Sequence, residues 1–143
     1  MTENTQQERD SFQIAIDGPV AAGKGTVSRL VADKLNFLYV DTGAMYRMAA
    51  LIGIRHEIDL KNEDKLVPLV KKSKMEMRNP TAAEQDGRLT TVFLDGKDVS
   101  WEIRTEQVSQ GASKVAAHPK IRQALVEKQQ KIAQNQDVIM EGR

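Results

Sequence analysis

Hydrophobic and polar positions change their period several times along this chain, and each change marks an element. Phe12, Ile14 and Ile16 alternate in a β-branched and aromatic run that stops at Asp17-Gly18, which predicts a buried first strand of a parallel sheet. From Lys24 the period becomes helical, with Val27, Leu30, Val31 and Leu35 on one side and Arg29, Asp33 and Lys34 on the other, as far as about Asn36. Phe37-Leu38-Tyr39-Val40 then reads as a second short strand, bounded by Asn36 and Asp41. Met45, Met48, Ala49 and Ile52 restore the helical spacing, with Thr42 as the expected cap and an end near Gly53. Strand, loop, helix, strand is the opening of a three-layer α/β fold.

The next stretch has a different character. Residues 61–72 hold Leu66, Val67, Leu69 and Val70 between charges and predict a short helix that contains Pro68. Met75 and Met77 alternate with charged neighbours, and Leu89, Thr91 and Phe93 alternate with Thr90, Val92 and Leu94. Together they predict a small antiparallel hairpin across a loop rich in Asn, Pro, Thr, Asp and Gly, with Asp95-Gly96 as the turn out of it. This part, residues 59–99, reads as an insertion on the main sheet. Thr105 caps a third amphipathic helix through Val108, Ala112, Val115 and Ala116. His118-Pro119 breaks it and starts another, whose expected inner face is Ile121, Leu125, Val126 and Ile132. Val138, Ile139 and Met140 begin a further buried strand that ends at Glu141-Gly142-Arg143.

Chemistry concentrates between the first strand and its helix, at Gly18-Pro19-Val20-Ala21-Ala22-Gly23-Lys24-Gly25-Thr26. A strand that runs through a glycine-spaced loop into a helix aims backbone N–H groups and the positive end of the helix dipole at one small volume, which suits a phosphate. Lys24 is placed to reach the terminal phosphates of a nucleoside triphosphate, and the Thr26 hydroxyl to hold a magnesium ion. The strict pattern has Ser or Thr directly after the Lys; here Gly25 intervenes. Asp41-Thr42-Gly43-Ala44-Met45-Tyr46-Arg47 falls at the end of the second strand, where such sheets bind their ligands, and Arg47 stands one turn after Gly43 on the side of that strand end. On spacing alone, an N-cap followed by a surface arginine is the other reading. Glu141, an acid at the end of a strand near the loop, stands where such folds place a group that supports magnesium.

Composition narrows the classes. With 143 residues, 40% hydrophobic and 29% charged, the chain makes one domain with a core of its own and leaves no room for a second. A net charge of +1, with Lys and Arg dispersed among Asp and Glu, gives no field that selects nucleic acid or a membrane surface. No cysteine is present, which excludes disulfides, thiolate metal sites and a cysteine nucleophile and fits a reducing compartment. His56 and His118 share no ligand-like spacing with each other or with nearby carboxylates. No apolar run approaches the ~20 residues of a membrane span, and residues 1–11 are polar, so the expectation is a cytoplasmic protein with a short flexible tail.

These motifs, in this order, resemble the bacterial cytidylate kinases of the nucleoside monophosphate kinase group. The resemblance runs from Phe12 to Arg143 and rests on Asp17-Gly18-Pro19 with Gly23-Lys24-Gly25-Thr26, on the segment from Asp41 to Arg47, on Asp95 to Val99 with Glu102-Ile103-Arg104, on Ser113-Lys114-Val115-Ala116-Ala117 with Ile121-Arg122, and on Glu141-Gly142-Arg143. It implies a P-loop α/β fold, three-layered and with a parallel sheet, that transfers the γ-phosphoryl group of ATP to CMP or dCMP. Gly18, Pro19, Val20, Ala21, Ala22, Gly23, Lys24, Gly25 and Thr26 would hold ATP, and Thr26 also Mg²⁺. Thr42, Arg47, Arg104, Ser113 and Arg122 would belong to the monophosphate site, and Lys24 and Arg143 would be catalytic. Residues 59–99 would be the monophosphate-binding subdomain, and the partners small molecules taken up by a monomer. Glu141 stands where the family normally has Asp, and a second Asp and an arginine-bearing lid fall beyond Arg143, so the resemblance implies a C-terminally truncated enzyme with an apolar sheet edge exposed. Two alternatives stay open at this point: a phosphate-loop kinase with another acceptor, and a non-catalytic nucleotide-binding remnant. A GTPase is disfavoured, because no Asn-Lys-x-Asp segment for base recognition is present.

Overall fold

Strand β1 (Gln13–Ile16), helix α1 (Lys24–Leu35), strand β2 (Leu38–Asp41), helix α2 (Thr42–Arg55) and helix α3 (Glu63–Lys72) open the chain in that order. Strands β3 (Met75–Arg78), β4 (Thr91–Leu94) and β5 (Lys97–Asp98) follow, then helices α4 (Glu106–Ala116) and α5 (Pro119–Ala133) and strand β6 (Val138–Glu141). The computed structural model describes residues 11–17 and 24–142. The expected tail, apart from Ser11, lies outside these residues.

The main sheet is parallel, in the order β1-β6-β2. Its register pairs Ile16 with Glu141 and Glu141 with Asp41, so the three strands finish level and present their last residues side by side. Val138 and Ile139 of β6 are fully buried, as a central strand of a parallel sheet requires. Strand β1 is different from the expectation of a buried strand. It lies at a sheet edge, with Phe12 66% exposed and Ile14 at the surface, because its only strand neighbour among the described residues is β6.

The apolar stripe of α1 also departs from expectation. Ala32 and Ser28 face the sheet, while Val27, Leu30 and Leu35 are exposed and only Val31 is partly covered. Period alone gives a helix an apolar face but not a neighbour to bury it.

Helix α2 is the spine of the larger core, with Met45, Met48 and Ala49 fully buried. Its N-cap is Asp41 rather than the expected Thr42: the Asp41 carboxylate accepts from the Ala44 N–H at 3.2 Å, and Thr42 is the first helical residue. A carboxylate at this position also complements the helix dipole. Helix α4 lies against α2 at close range because Gly53 and Gly111 leave a slot for Leu60; a Cβ on Gly53 would overlap that side chain, and one on Gly111 would meet it at 2.8 Å. Thr105 caps α4 through the Val108 N–H, and Pro119 takes the first turn of α5 as expected. On α5 the buried positions are Ile121, Ala124, Leu125 and Ala133, whereas Val126 is exposed instead of buried.

The inserted segment forms a sheet of its own, antiparallel and in the order β3-β4-β5. The expected hairpin pairs Met75 with Leu94 and Arg78 with Thr91. Asp95-Gly96 does not leave the sheet; with φ of 49° and 83° it makes the tight turn into a third strand, where two positive φ values match the twist of a hairpin. Helix α3 forms with Pro68 inside, capped by Asn62. It leans on α5, where Lys128 Nζ donates to the carbonyls of Ser73 (2.6 Å) and Lys71 (3.3 Å) at the α3 C-terminus. Among the described residues no helix is long and apolar enough to cross a membrane.

Candidate functional site

The level ends of the parallel strands, and the helices that start there, gather the chemistry. Thr42 Oγ1 donates to the Glu141 carbonyl at 2.8 Å, which ties the start of α2 to the end of β6. Gly142 follows with φ 151°, and a Cβ there would overlap the Thr42 hydroxyl, so this turn accepts only glycine. A cleft of about 380 Å³ opens beside it, lined by Asp17, Thr42, Tyr46, Arg122, Gln129 and Glu141 among others. Arg122 and Gln129 reach it from α5, seven residues apart and therefore on one side of that helix. Val126 lines the same cleft, which is why it is not in the core.

A second group of charges surrounds Asp41. Arg104, in the short helical turn before α4, brings Nη2 to 3.9 Å from Asp41 Oδ2. Gly43 lets Arg47 fold back toward the same point: a Cβ on Gly43 would lie 3.1 Å from Asp41 Oδ1 and 3.7 Å from Arg47 Nη1. Two guanidinium groups therefore converge on the end of β2, where one carboxylate cannot neutralise both. Such a pair can take a phosphate dianion in forked hydrogen bonds.

A third group of polar side chains is organised around Glu141. Tyr39 Oη donates to Glu141 Oε2, and that oxygen lies 3.3 Å from where a Cβ on Gly25 would be, in the first turn of α1. Gly25 thus admits the carboxylate to the helix N-terminus. Burial, then the charges of Asp41 and Glu141, pushes the Tyr39 phenol above its ordinary range, so it acts as a neutral donor. Thr26 is exposed in the same turn. A hydroxyl and a carboxylate form an oxygen donor set of the kind that magnesium takes.

Of the residues singled out in the sequence, Thr42 and Arg122 line one cleft, Arg104 approaches Asp41 to 3.9 Å, and Arg47 lies beside Gly43 at the same strand end. Ser113 stands exposed on α4, outside the residues that line this cleft. Gly18, Pro19, Val20, Ala21, Ala22 and Gly23, the Lys24 side chain and Arg143 lie outside the described residues. Sequence reasoning missed Tyr39 and Asn79. Tyr39 reads as one apolar position among four, and Asn79 as a loop residue. The Asn79 carboxamide accepts from the Tyr39 N–H at 3.0 Å and donates to the Phe37 carbonyl at 2.8 Å, across 40 and 42 residues of chain, and no local pattern encodes that.

A parallel sheet with a helix N-terminus after its first strand and an acid at the end of the neighbouring strand is consistent with the α/β fold of P-loop kinases. Residues 14–143 match the family described as cytidylate kinase, so the chain belongs to the cytidylate kinase family. It is similar to a protein named cytidylate kinase from Oceanobacillus iheyensis, 48% identical over 130 residues, which is 91% of this chain and 54% of the relative. Proteins of the same name from Geobacillus sp. (strain WCH70) and Lysinibacillus sphaericus are 41% and 44% identical over 135 residues, 94% of this chain and 58% of each relative. The chain thus spans little more than half the length of the curated relatives it matches.

Proposed function

We propose that this chain is a nucleoside monophosphate kinase, or the larger part of one, that transfers the γ-phosphoryl group of ATP to CMP or dCMP and yields ADP with CDP or dCDP. The observation that carries the reading is the convergence of Arg47 and Arg104 at the end of β2 in a chain of this family. These arginines, with the Thr42 hydroxyl and with Arg122 across the cleft, form the acceptor site; Ser113, on the next helix, belongs with them by resemblance. The backbone N–H groups of the loop from Gly18 to Gly25, Pro19 excepted, and Lys24 hold the donor phosphates, and Arg143 balances charge on the transferring group.

Catalysis of this kind is positioning and charge stabilisation, with no covalent intermediate. The acceptor is a phosphate oxygen that is already ionised near neutral pH, so no strong base is needed. Thr26 and Glu141 are the residues that would hold magnesium, whose bound charge neutralises the donor phosphates. Glu141 brings one more methylene than the Asp of the resemblance, and the open Gly25 gives that length room. The setting is cytoplasmic, and the chain acts as a monomer on small molecules rather than on nucleic acid, as its near-neutral charge supports.

The test is to incubate the chain with ATP, Mg²⁺ and each of CMP, dCMP, UMP, AMP and shikimate, and to separate the products by chromatography. CDP and dCDP alone are expected. Product from UMP, AMP or shikimate with none from CMP would overturn the acceptor assignment, and CMP binding without turnover would reduce the reading to a nucleotide-binding chain. Arg47→Ala is expected to weaken CMP binding by at least tenfold, the scale of a lost charge-assisted pair.

A further inference from the structure

We infer that Tyr39 is a positioning residue of the donor side, whose hydroxyl fixes the Glu141 carboxylate over the first turn of α1 while Asn79 of the inserted segment fixes Tyr39 itself. The inference rests on the kinase reading above and adds a part to it. Tyr39 is 1% exposed, and its ring packs in a small cluster with Ala32 of α1, Ile139 of β6 and Leu89 of the inserted segment. A phenylalanine would fill that volume equally well. What the hydroxyl adds is a neutral O–H donor aimed at Glu141 Oε2 from inside the protein.

The surroundings leave the carboxylate little freedom. Its Oε2 lies 3.3 Å from the Cβ position of Gly25, and Leu89 Cδ1 and Tyr39 Oη lie 3.3 Å and 3.7 Å from the same point. A carboxylate that accepts from a fixed donor is itself held in one direction, which is how outer partners orient groups that serve a metal. The backbone of Tyr39 is fixed in turn. By bonding to the Tyr39 N–H and the Phe37 carbonyl, the Asn79 carboxamide stands in for a neighbouring strand at the edge of β2. Asn79 and Leu89 both come from the inserted segment, so the part of the chain read as the monophosphate-binding subdomain also braces the donor-side acid through Tyr39.

The experiment measures ATP binding to the whole 143-residue chain by calorimetry, with and without Mg²⁺, for the unmodified protein, Tyr39→Phe, Glu141→Gln and the double variant. In Tyr39→Phe the gain in ATP affinity given by Mg²⁺ is expected to fall about tenfold, the lower end of what removing such an outer partner costs. Metal-free ATP binding and CMP binding are expected to keep their values. In the Glu141→Gln background Tyr39→Phe is expected to add nothing, because the hydroxyl acts only through that carboxylate. An unchanged Mg²⁺ gain in Tyr39→Phe overturns the role, and so does an effect that persists in full without the carboxylate. Asn79→Ala, which leaves the hydroxyl in place, is expected to reduce the gain in the same direction and by less; it carries the test if Tyr39→Phe does not fold. If the unmodified chain binds neither ATP nor CMP, the kinase reading falls and this role falls with it, a result distinct from binding with an unchanged Mg²⁺ gain.

Discussion

The two edges of the parallel sheet are built from strands of equal length and have opposite fates. At the β2 edge the Asn79 carboxamide occupies the outward backbone groups, Leu89 packs on the flanking cluster, and Tyr39 and Val40 are buried. At the β1 edge Phe12 and Ile14 stand at the surface, and the neighbouring helix α1 turns Val27, Leu30 and Leu35 outward, Leu30 at 59% exposure. The sequence pattern on both sides is the same, a short apolar strand beside an amphipathic segment. Burial therefore comes from what the tertiary fold brings to an edge, and here the inserted segment brings it to one edge only. Each covered Val or Leu contributes about 1.5–3 kcal/mol, so the β2 side and the helices behind it hold most of the stability of this chain. Uncovered apolar strand edges are also sites of association.

The largest expected effect tests that division directly. Leu125 is fully buried on α5, and Leu125→Ala removes methylenes that cannot be replaced by relaxation, at a cost of about 2–5 kcal/mol. Leu30→Ala on the exposed face of α1 is expected to cost less than about 0.5 kcal/mol, as surface substitutions do. Urea unfolding of both variants gives the comparison. Equal losses would mean that α1 is buried in solution and that the two sides are not different in kind.

An effect of intermediate size separates the Asn79 contact from the packing around it. Asn79→Ala leaves the Tyr39 N–H and the Phe37 carbonyl without the carboxamide, and is expected to cost about 1–3 kcal/mol, the scale of losing bonds to buried backbone groups. Hydrogen exchange resolves where the loss falls. The Tyr39 amide should exchange faster, while amides of α2 and α4 keep their protection. Uniform acceleration through the domain would show that Asn79 supports the whole fold and not this edge.

How much of this was legible beforehand follows from the range of each interaction. The strand and helix order could be read because apolar period is local, and α4 and α5 were delimited by Thr105 and by His118-Pro119, whose effects act within one turn. Asp41 as the cap of α2 was misread as Thr42, because both residues cap well and only the backbone decides which one stands outside the helix. The third strand after Asp95-Gly96 was missed because Lys97-Asp98 is polar and only two residues long. Arg47 and Arg104 were both singled out, but 57 positions of chain separate them, and their approach to the same end of β2 is a product of topology. The Tyr39–Glu141 and Asn79–Tyr39 bonds are of the same kind.

The smallest effect distinguishes the inserted segment from the rest by pH. Arg78, followed by the Thr81 N–H, holds Glu84 down from the usual 4.5 to about 2, and Arg88, followed by the Trp101 indole, holds Asp86 below the ordinary carboxylate range. Both carboxylates bind their protons less readily in the folded than in the unfolded chain. The stability they contribute is therefore complete above about pH 4.5 and is lost as the pH falls toward 2. Asp86 stands at the surface and Glu84 is partly covered, and their arginine pairs are open to solvent screening, so the loss is modest. Trp101 is the only tryptophan and donates through Nε1 to Asp86 Oδ2 at 3.0 Å, so its emission reports this corner of the inserted sheet. Between pH 4.5 and 2 the emission is expected to shift before the far-ultraviolet dichroism of the helices changes. Asp86→Asn should already show part of that shift at neutral pH, because the charge that holds Arg88 is gone. Emission and dichroism that move together on acidification would instead tie the inserted sheet to the core as one cooperative unit, and the contrast between the two edges would then be one of exposure without a difference in stability.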